Sequence, residues 1–456
     1  VYRERVGISL YDALHEKNAG STPGYFSPEL IQTVAQTLAR FRYICDQYSV
    51  PMNQINVFAT EATRTSKNKD QLLDAINKSS GLKVEILSKE MESMFGAMGA
   101  RSGFTHVNGL FMDLGGGSVQ MTYVNSKVEG YDLNAARFAV SMPYGAARLS
   151  EAIKSKSDAP EIIEELQTTM KKTFSGMMSN FAPLKAQVES KEGVSIYFCG
   201  GGFRGYGSML MHTHEIQPYP IPAIGGFKVP GERFIRYKEM IKANDGKEKV
   251  FGMSKRRREQ FRAIAAVVKA LVGSIPNIKE VVFCSGGNRE GVLFMKLPPN
   301  IREGNPLVLL PGYASQRNPL QFLDMIGSII NQGIPNECPP IFSNELRHYI
   351  NRNIWIDMGN PDDANSAEAL HDPISGEIAG LPGLTHEIRA VLALTLCSRW
   401  GADLGPTDQE LYKRLQSLVG QKLSFWCEYI GTLVRLLATI FPAYPADMNF
   451  MKESIQ

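Results

Sequence analysis

The stretch Leu110 to Thr122 reads LFMDLGGGSVQMT. Three apolar residues lead into a single acid, Asp113, and Leu114 then gives way to Gly115, Gly116, Gly117 and Ser118. Residues Ser118 to Val124 alternate and are rich in strand formers, so the pattern predicts a β-hairpin turning at the three glycines. Lacking Cβ atoms, consecutive glycines let backbone N–H groups converge on one anion, a nest for phosphate oxygens. Asp113, at the end of a buried strand, is then placed to hold a metal ion or its water beside that nest. A plain glycine turn, with the acid accepting turn amides, is the other reading of the same residues.

Working outward, 456 residues with 43% hydrophobic content suffice for two or three domains with sizeable cores. A formal net charge of +3 is too small to point to nucleic acid or to a membrane surface. Six cysteines (Cys45, Cys199, Cys284, Cys338, Cys397 and Cys427) lie far apart, with no metal-ligand spacing. That spacing predicts reduced, mostly buried thiols in the cytosol or nucleus rather than a disulfide framework, and a cytoplasmic protein is expected. The most apolar late run, Tyr429 to Tyr444, is interrupted by Arg435 and Pro442, so no transmembrane helix is expected. The chain opens at Val1 in VYRERVGISL, which reads as a strand already under way, with residues expected upstream.

Upstream of the hairpin, Glu29 to Tyr48 has helical spacing behind the capping pair Ser27-Pro28. A strand over 55–59 runs into Thr60-Glu61-Ala62-Thr63-Arg64. A helix over 69–79, a strand over 82–87 and a helix over 88–101 follow. This alternation predicts an α/β layer, whose ligands gather beyond the carboxyl ends of the strands, near Arg64, Asp113 and Glu92. Downstream, a strand from Phe138 ends at Pro143-Tyr144-Gly145, and Pro160 to Phe181 is helical. Two more buried strands run into glycines, at Gly200-Gly201-Gly202 and, after a helix over 257–272, at Gly286-Gly287. Three such strand ends suggest a cleft of nucleotide or polyphosphate size. From about Leu297 prolines break the chain, and helices are expected over 319–331, 384–400, 409–420 and 425–441.

The motifs FATEATR with Asn68, ILSKEMES, DLGGGS, SMPYGAARL, CGGGFR and CSGGNREG stand in the order and spacing of one family. Over Val1 to Phe294 the chain resembles the Ppx/GppA family of exopolyphosphatases and guanosine pentaphosphate phosphatases, and within it a long eukaryotic regulatory branch. The resemblance implies two actin-like (ribonuclease H-like, ASKHA) domains with an interdomain cleft, about 1–107 and 108–296. A mostly helical region, 297–456, follows. It further implies Glu92 as the carboxylate that activates water, Asp113 as the Mg2+-associated acid, and Gly115, Gly116, Gly117 and Ser118 as a phosphate loop. Arg64 aligns with a basic residue that forks onto phosphate, its bland alternative being an ion pair with Glu61. Gly145, Gly201, Gly202, Gly286 and Gly287 would shape the cleft, and Arg289 and Glu290 a structural end element.

Departures from the family pattern bear on activity. Lys89 places a bulky cation where the family has glycine, beside the water-activating Glu92. Gln120 replaces a second carboxylate and cannot act as a base. The family's D-x-G-S-N-type first phosphate hairpin is expected upstream of Val1. In the helical region, IAGLPGLTHEIRAVLALTLCSRWG (Ile378 to Gly401) resembles part of an HD-type domain, with His371-Asp372 nearby. His348, His371 and His386 make no convincing metal set, so a module for packing or homodimerisation is expected. The run Lys255-Arg256-Arg257-Arg258 reads as a solvated helix start, an electropositive lip for a polyanion, or a nuclear import signal.

Three functions follow. One is a nucleotide- or polyphosphate-binding regulatory protein acting through protein partners, with residual phosphoanhydride hydrolysis. Another is an active Mg2+-dependent hydrolase using Glu92 as base. The third, a kinase of the same superfamily, lacks an acceptor-binding signature.

Overall fold

The computed structural model describes residues 4, 6–15, 24–154, 159–246, 248–309, 320–356, 358–443, 451 and 453–454. Ser27 opens the first long helix, α1 (Pro28–Gln47). Its side chain accepts from the Leu30 N–H, and Pro28 occupies the first turn, where no donor is needed. Strands β1 (Val57–Ala59) and β2 (Val84–Ile86) pair in parallel, with α2 (Glu61–Thr65) and α3 (Lys69–Ser80) between them. Both strands are shorter than their sequence pattern suggests. Met52–Gln54 winds into a 3₁₀ turn just before Ile55, and Leu82 is buried with Leu72 and Ile76 between α1 and α3. Val6 to Ser9, expected within a strand, are irregular and joined to no sheet; Val1–Arg3 and Arg5 lie outside the described residues.

Helix α4 (Lys89–Arg101) starts at Ser88, whose hydroxyl accepts from the Met91 N–H. It leads into a six-stranded mixed sheet of order β5-β4-β3-β6-β8-β7. Here β3 is Asn108–Leu114, β4 Val119–Asn125 and β5 Val140–Met142; β6 is Val194–Cys199, β7 Lys228–Pro230 and β8 Ile278–Phe283. The hairpin is as expected: β3 and β4 are antiparallel in full register from Asn108 opposite Asn125 to Leu114 opposite Val119. The period-2 pattern sends Leu110, Met112 and Leu114 into one core with α6 (Ala159–Asn180) and α9 (Phe261–Ser274). Phe111 points the other way, among Met94, Ala97 and Met98 of α4. Asp113, two residues on, therefore faces α4. Because α4 packs on this sheet, its core crosses the boundary expected at residue 107.

Three further elements position the site: α5 (Ala146–Lys154), α7 (Gly200–His212) and α10 (Asn288–Lys296). The glycine turn expected at Gly200–Gly202 is the first turn of α7. Only Gly200 takes a left-handed conformation, φ +81°, and the helix follows at once. The helix expected over 257–272 is two, α8 (Lys255–Glu259) and α9, divided at Gln260.

The C-terminal region is helical, as expected: α11 (Leu320–Gln332), α12 (Asn344–Arg352), α13 (Asp362–Ser375), α14 (His386–Arg399), α15 (Pro406–Val419) and α16 (Gln421–Ile440). Pro311 and Pro319 lie outside the described residues. Helix α14 is buried along almost its whole length and packs against α13, α15 and α16. Arg435 lies within α16 rather than interrupting it. By length and composition α16 alone among the described helices could cross a membrane, but Trp426, Cys427, Ile430 and Val434 are in the core of this region. The region docks on the sheet unit through His386, whose N–H donates to Gly226 O (3.0 Å) and whose Nδ1 meets the Tyr219 hydroxyl at 2.8 Å.

Candidate functional site

The glycine hairpin fixes the site. The carbonyls of Gly115, Gly116 and Gly117 turn toward the start of α5. Gly115 O accepts from Ala146 N (2.9 Å), Gly116 O from Ala147 N (3.0 Å) and Arg148 N (3.1 Å), and Gly117 O from Gly145 N (3.1 Å). In a trans peptide the N–H points opposite to the C=O, so the N–H groups of Gly116, Gly117 and Ser118 face away from α5, toward the cleft. That is the geometry of an anion nest. Gly115 to Ser118, Glu61, Glu92, Asp113, Gln120, Arg256 and Asn288 line a cavity of about 630 Å³. Its opposite wall is apolar, with Val34, Leu38, Val57 and Ile76.

Glu92 opens α4 from within, 8% exposed, and burial raises its carboxyl pKa above the ordinary value against the opposing pull of Arg64. Arg64 Nη2 lies 3.0 Å from Glu92 Oε2, and Arg64 Nη1 donates to Leu87 O. Arg64 thus pairs with Glu92, whereas the sequence offered Glu61 as its ionic alternative. Glu61 turns to the glycine loop: a Cβ added to Gly117 would sit 2.5 Å from Glu61 Oε2. Lys89, expected to crowd Glu92, is an exposed residue of the first helical turn. The cation beside Glu92 is Arg64.

Asp113 is half-buried, with Gln120 directly opposite on β4 and Cys199 opposite on β6. Burial raises its pKa; the Arg204 charge and the Cys199 thiol pull it down. Gln120 Nε2 reaches Ser118 Oγ at 3.4 Å. One carboxylate and one neutral amide therefore stand side by side on the sheet. For the Mg2+ that the resemblance implied, the donor chemistry fits. Asp113 supplies a carboxylate, and Asn288 Oδ1, buried on the same cavity, has no hydrogen-bond partner. Mg2+ is commonly held by one or two carboxylates with waters and substrate phosphates completing its shell. Among the described residues no cluster of three or more His, Cys, Asp or Glu forms a protein-only cage.

The remaining sequence candidates stand further back. Gly145 supports the loop from behind: its Cβ would lie 2.4 Å from Gly116 C and O. A Cβ on Gly202 would lie 2.5 Å from the Leu114 side chain, and Gly201 faces Arg257; neither lines the cavity. The missing side chain at Gly202 lets α7 start against Leu114 of β3. Gly286, Gly287 and Gly291 bring α10 against α4, and Glu290 Oε2 accepts from Gly287 N at 3.0 Å. Of the basic run, Arg256 reaches the cavity and pairs with Asp12 (2.7 Å), while Arg258 Nη1 and Nη2 donate to Glu248 O and Asn244 O. In the helical region His371 pairs with Asp408 and His348 with Asp324, so the three histidines serve three separate partners.

Sequence reasoning missed Glu61, Asn288 and Arg204 as site neighbours. Arg204 sits inside the quoted CGGGFR motif; Asn288, inside CSGGNREG, would have been legible had α10 been placed beside Asp113.

Comparison with known proteins identifies the family. Residues 1–300 match the Ppx/GppA phosphatase family, and residues 312–454 match the RTG2 C-terminal domain. The chain is 30% identical over 461 aligned residues to retrograde regulation protein 2 of Saccharomyces cerevisiae, covering 97% of this chain and 76% of that protein. Among solved structures, an Aquifex aeolicus Ppx/GppA family member superposes with a TM-score of 0.46 at 18% identity, over 59% of this chain and 82% of its own. An exopolyphosphatase from Cytophaga hutchinsonii gives 0.44 at 20%, over 62% and 84%. With the family matched across two thirds of its length and a relative aligned almost end to end, the chain belongs to the Ppx/GppA phosphatase family.

Proposed function

We propose that this chain is a regulatory protein of retrograde or metabolic signalling in the cytoplasm. It binds a polyphosphate or nucleotide polyphosphate in the cleft and acts through protein partners, with hydrolysis only residual. The observation that carries this reading is the pairing of Asp113 with Gln120 across β3 and β4. A neutral amide stands where a second carboxylate would assist metal and water. The N–H groups of Gly116, Gly117 and Ser118 can still donate to phosphate oxygens, and Arg256 at the cavity wall offers a charge to a longer polyanion. Mg2+, when bound beside Asp113, would neutralise phosphate charge. The likeness to retrograde regulation protein 2 along nearly the whole chain, including the helical region, supports the signalling role. That region would serve packing, dimerisation or partner binding.

A second reading, an active phosphoanhydride hydrolase, is favoured by Glu92. Its buried carboxyl, with a raised proton affinity, is poised as a general base on the same cavity. Against it, Arg64 holds that carboxylate at 3.0 Å.

Titration calorimetry with guanosine pentaphosphate, ATP and long-chain polyphosphate in Mg2+ tests the binding claim. Saturable micromolar binding of at least one of them, about −8 kcal/mol, is expected. No heat with any of the three would sink the proposal.

A further inference from the structure

Two acceptor oxygens converge behind the phosphate loop. Gly96 on α4 has no side chain, and a Cβ built there would lie 3.1 Å from Asn288 Oδ1 and 3.5 Å from Asp113 Oδ2. The other Asp113 oxygen is closed off: a Cβ on Gly200 would meet Oδ1 at 2.1 Å and Leu114 O at 2.5 Å. Oδ2 is therefore the oxygen directed toward Gly96 and Asn288. Asn288 is the first residue of α10, and Oδ1 is buried with no hydrogen-bond partner. Burying an amide oxygen without a partner is costly. Two acceptors that flank one small gap repel each other until a cation or a donor joins them. Both residues line the same cavity as the glycine loop.

The scaffold under Asn288 is stiff. Gly99, Gly286, Gly287 and Gly291 bring α4 and α10 into backbone contact, so the side chain at the start of α10 has little room to move relative to α4. The capping contact of Glu290 Oε2 on Gly287 N fixes the same turn.

We propose that Asn288 supplies, through Oδ1, a second protein ligand to a divalent cation held by Asp113. It would be the neutral counterpart of the carboxylate that Gln120 replaces, placed on the opposite side of Asp113. The inference rests on the phosphoanhydride-cleft reading above, and the test separates the two.

Mn2+ is the probe, titrated into the full chain and followed by electron paramagnetic resonance and water-proton relaxation, with a circular-dichroism melt for each variant. Wild type binds Mn2+. Asn288→Ala is expected to weaken it about 10-fold and to add one bound water to the inner shell. Asn288→Asp, which keeps the shape and adds charge, is expected to tighten binding. If wild type binds Mn2+ but Asn288→Ala changes neither affinity nor water count, Asn288 is no ligand and Asp113 holds the ion without it. If wild type binds no Mn2+, or Asp113→Asn leaves binding unchanged, the cation site itself falls, and this inference with it.

Discussion

Gly99→Ala lowers the thermal midpoint of the sheet unit by roughly 10 °C. The added Cβ would lie 1.9 Å from Gly287 O, 2.6 Å from Gly287 C and 2.8 Å from Gly287 N. All three are backbone atoms, so no side chain can swing aside. The contact is mutual, since a Cβ on Gly286 would sit 1.9 Å from Gly99 O, and one on Gly291 would sit 1.9 Å from Phe95 O. Helices α4 and α10 would have to part, opening the packing of Met94, Met98 and Phe294 on the sheet. Overpacking usually costs about 1–3 kcal/mol, and a backbone-to-backbone clash belongs at or above the top of that range. Gly176→Ala is the control: on α6, where a Cβ meets nothing within 4 Å, alanine improves helix propensity and the midpoint holds or rises. A Gly99→Ala protein melting within about 2 °C of wild type would contradict the close crossing.

Gly145→Ala loses phosphate-ligand affinity by about 100-fold, or about 2.7 kcal/mol, while the rest of the sheet stays folded. Gly145 is not part of the cavity wall, so the effect is transmitted through the loop it supports. Its Cβ would press at 2.4 Å on Gly116 C and O and on Gly117 C. The loop would shift, and the hydrogen bonds from Gly145, Ala146, Ala147 and Arg148 that orient its carbonyls would be lost or lengthened. The N–H groups facing the cleft would no longer converge on one point. Calorimetry against wild type with the same polyphosphate or nucleotide measures the loss. Unchanged affinity would mean that the ligand does not use the glycine nest.

Much of the fold was legible because it is written locally. The alternation from Asn108 to Asn125 and the three glycines between the strands specify the hairpin without reference to the rest of the chain. Ser27-Pro28 announced its helix by capping chemistry that the structure shows, the Ser27 side chain accepting from the Leu30 N–H. What stayed hidden depends on contacts between distant residues. Arg64 and Glu61 are three residues apart and looked like partners, yet the helix that carries Arg64 ends beside Leu87 and Glu92. Asn288 and Asp113 are 175 residues apart in the sequence, and only the close crossing of α4 and α10 brings their oxygens to one side of Gly96. Gly201 and Gly202 resembled a phosphate turn, because a glycine that admits a ligand and one that admits Leu114 leave the same letter. In the C-terminal region α12 and α13 escaped notice: α12 is short, and α13 carries Pro373 inside it.

The central claim is that the cleft binds a phosphoanhydride ligand but turns it over poorly. Its most direct test is initial-rate phosphate release from long-chain polyphosphate, ATP and guanosine pentaphosphate with Mg2+, with Glu92→Gln run in parallel. The account predicts release at least about 100-fold below the ordinary enzyme rate of roughly 10 per second. That residue of activity should vanish in Glu92→Gln, with ligand affinity kept. Wild-type release at ordinary enzyme rates, abolished by Glu92→Gln, would show that Gln120 is no impediment and that the chain is a working hydrolase.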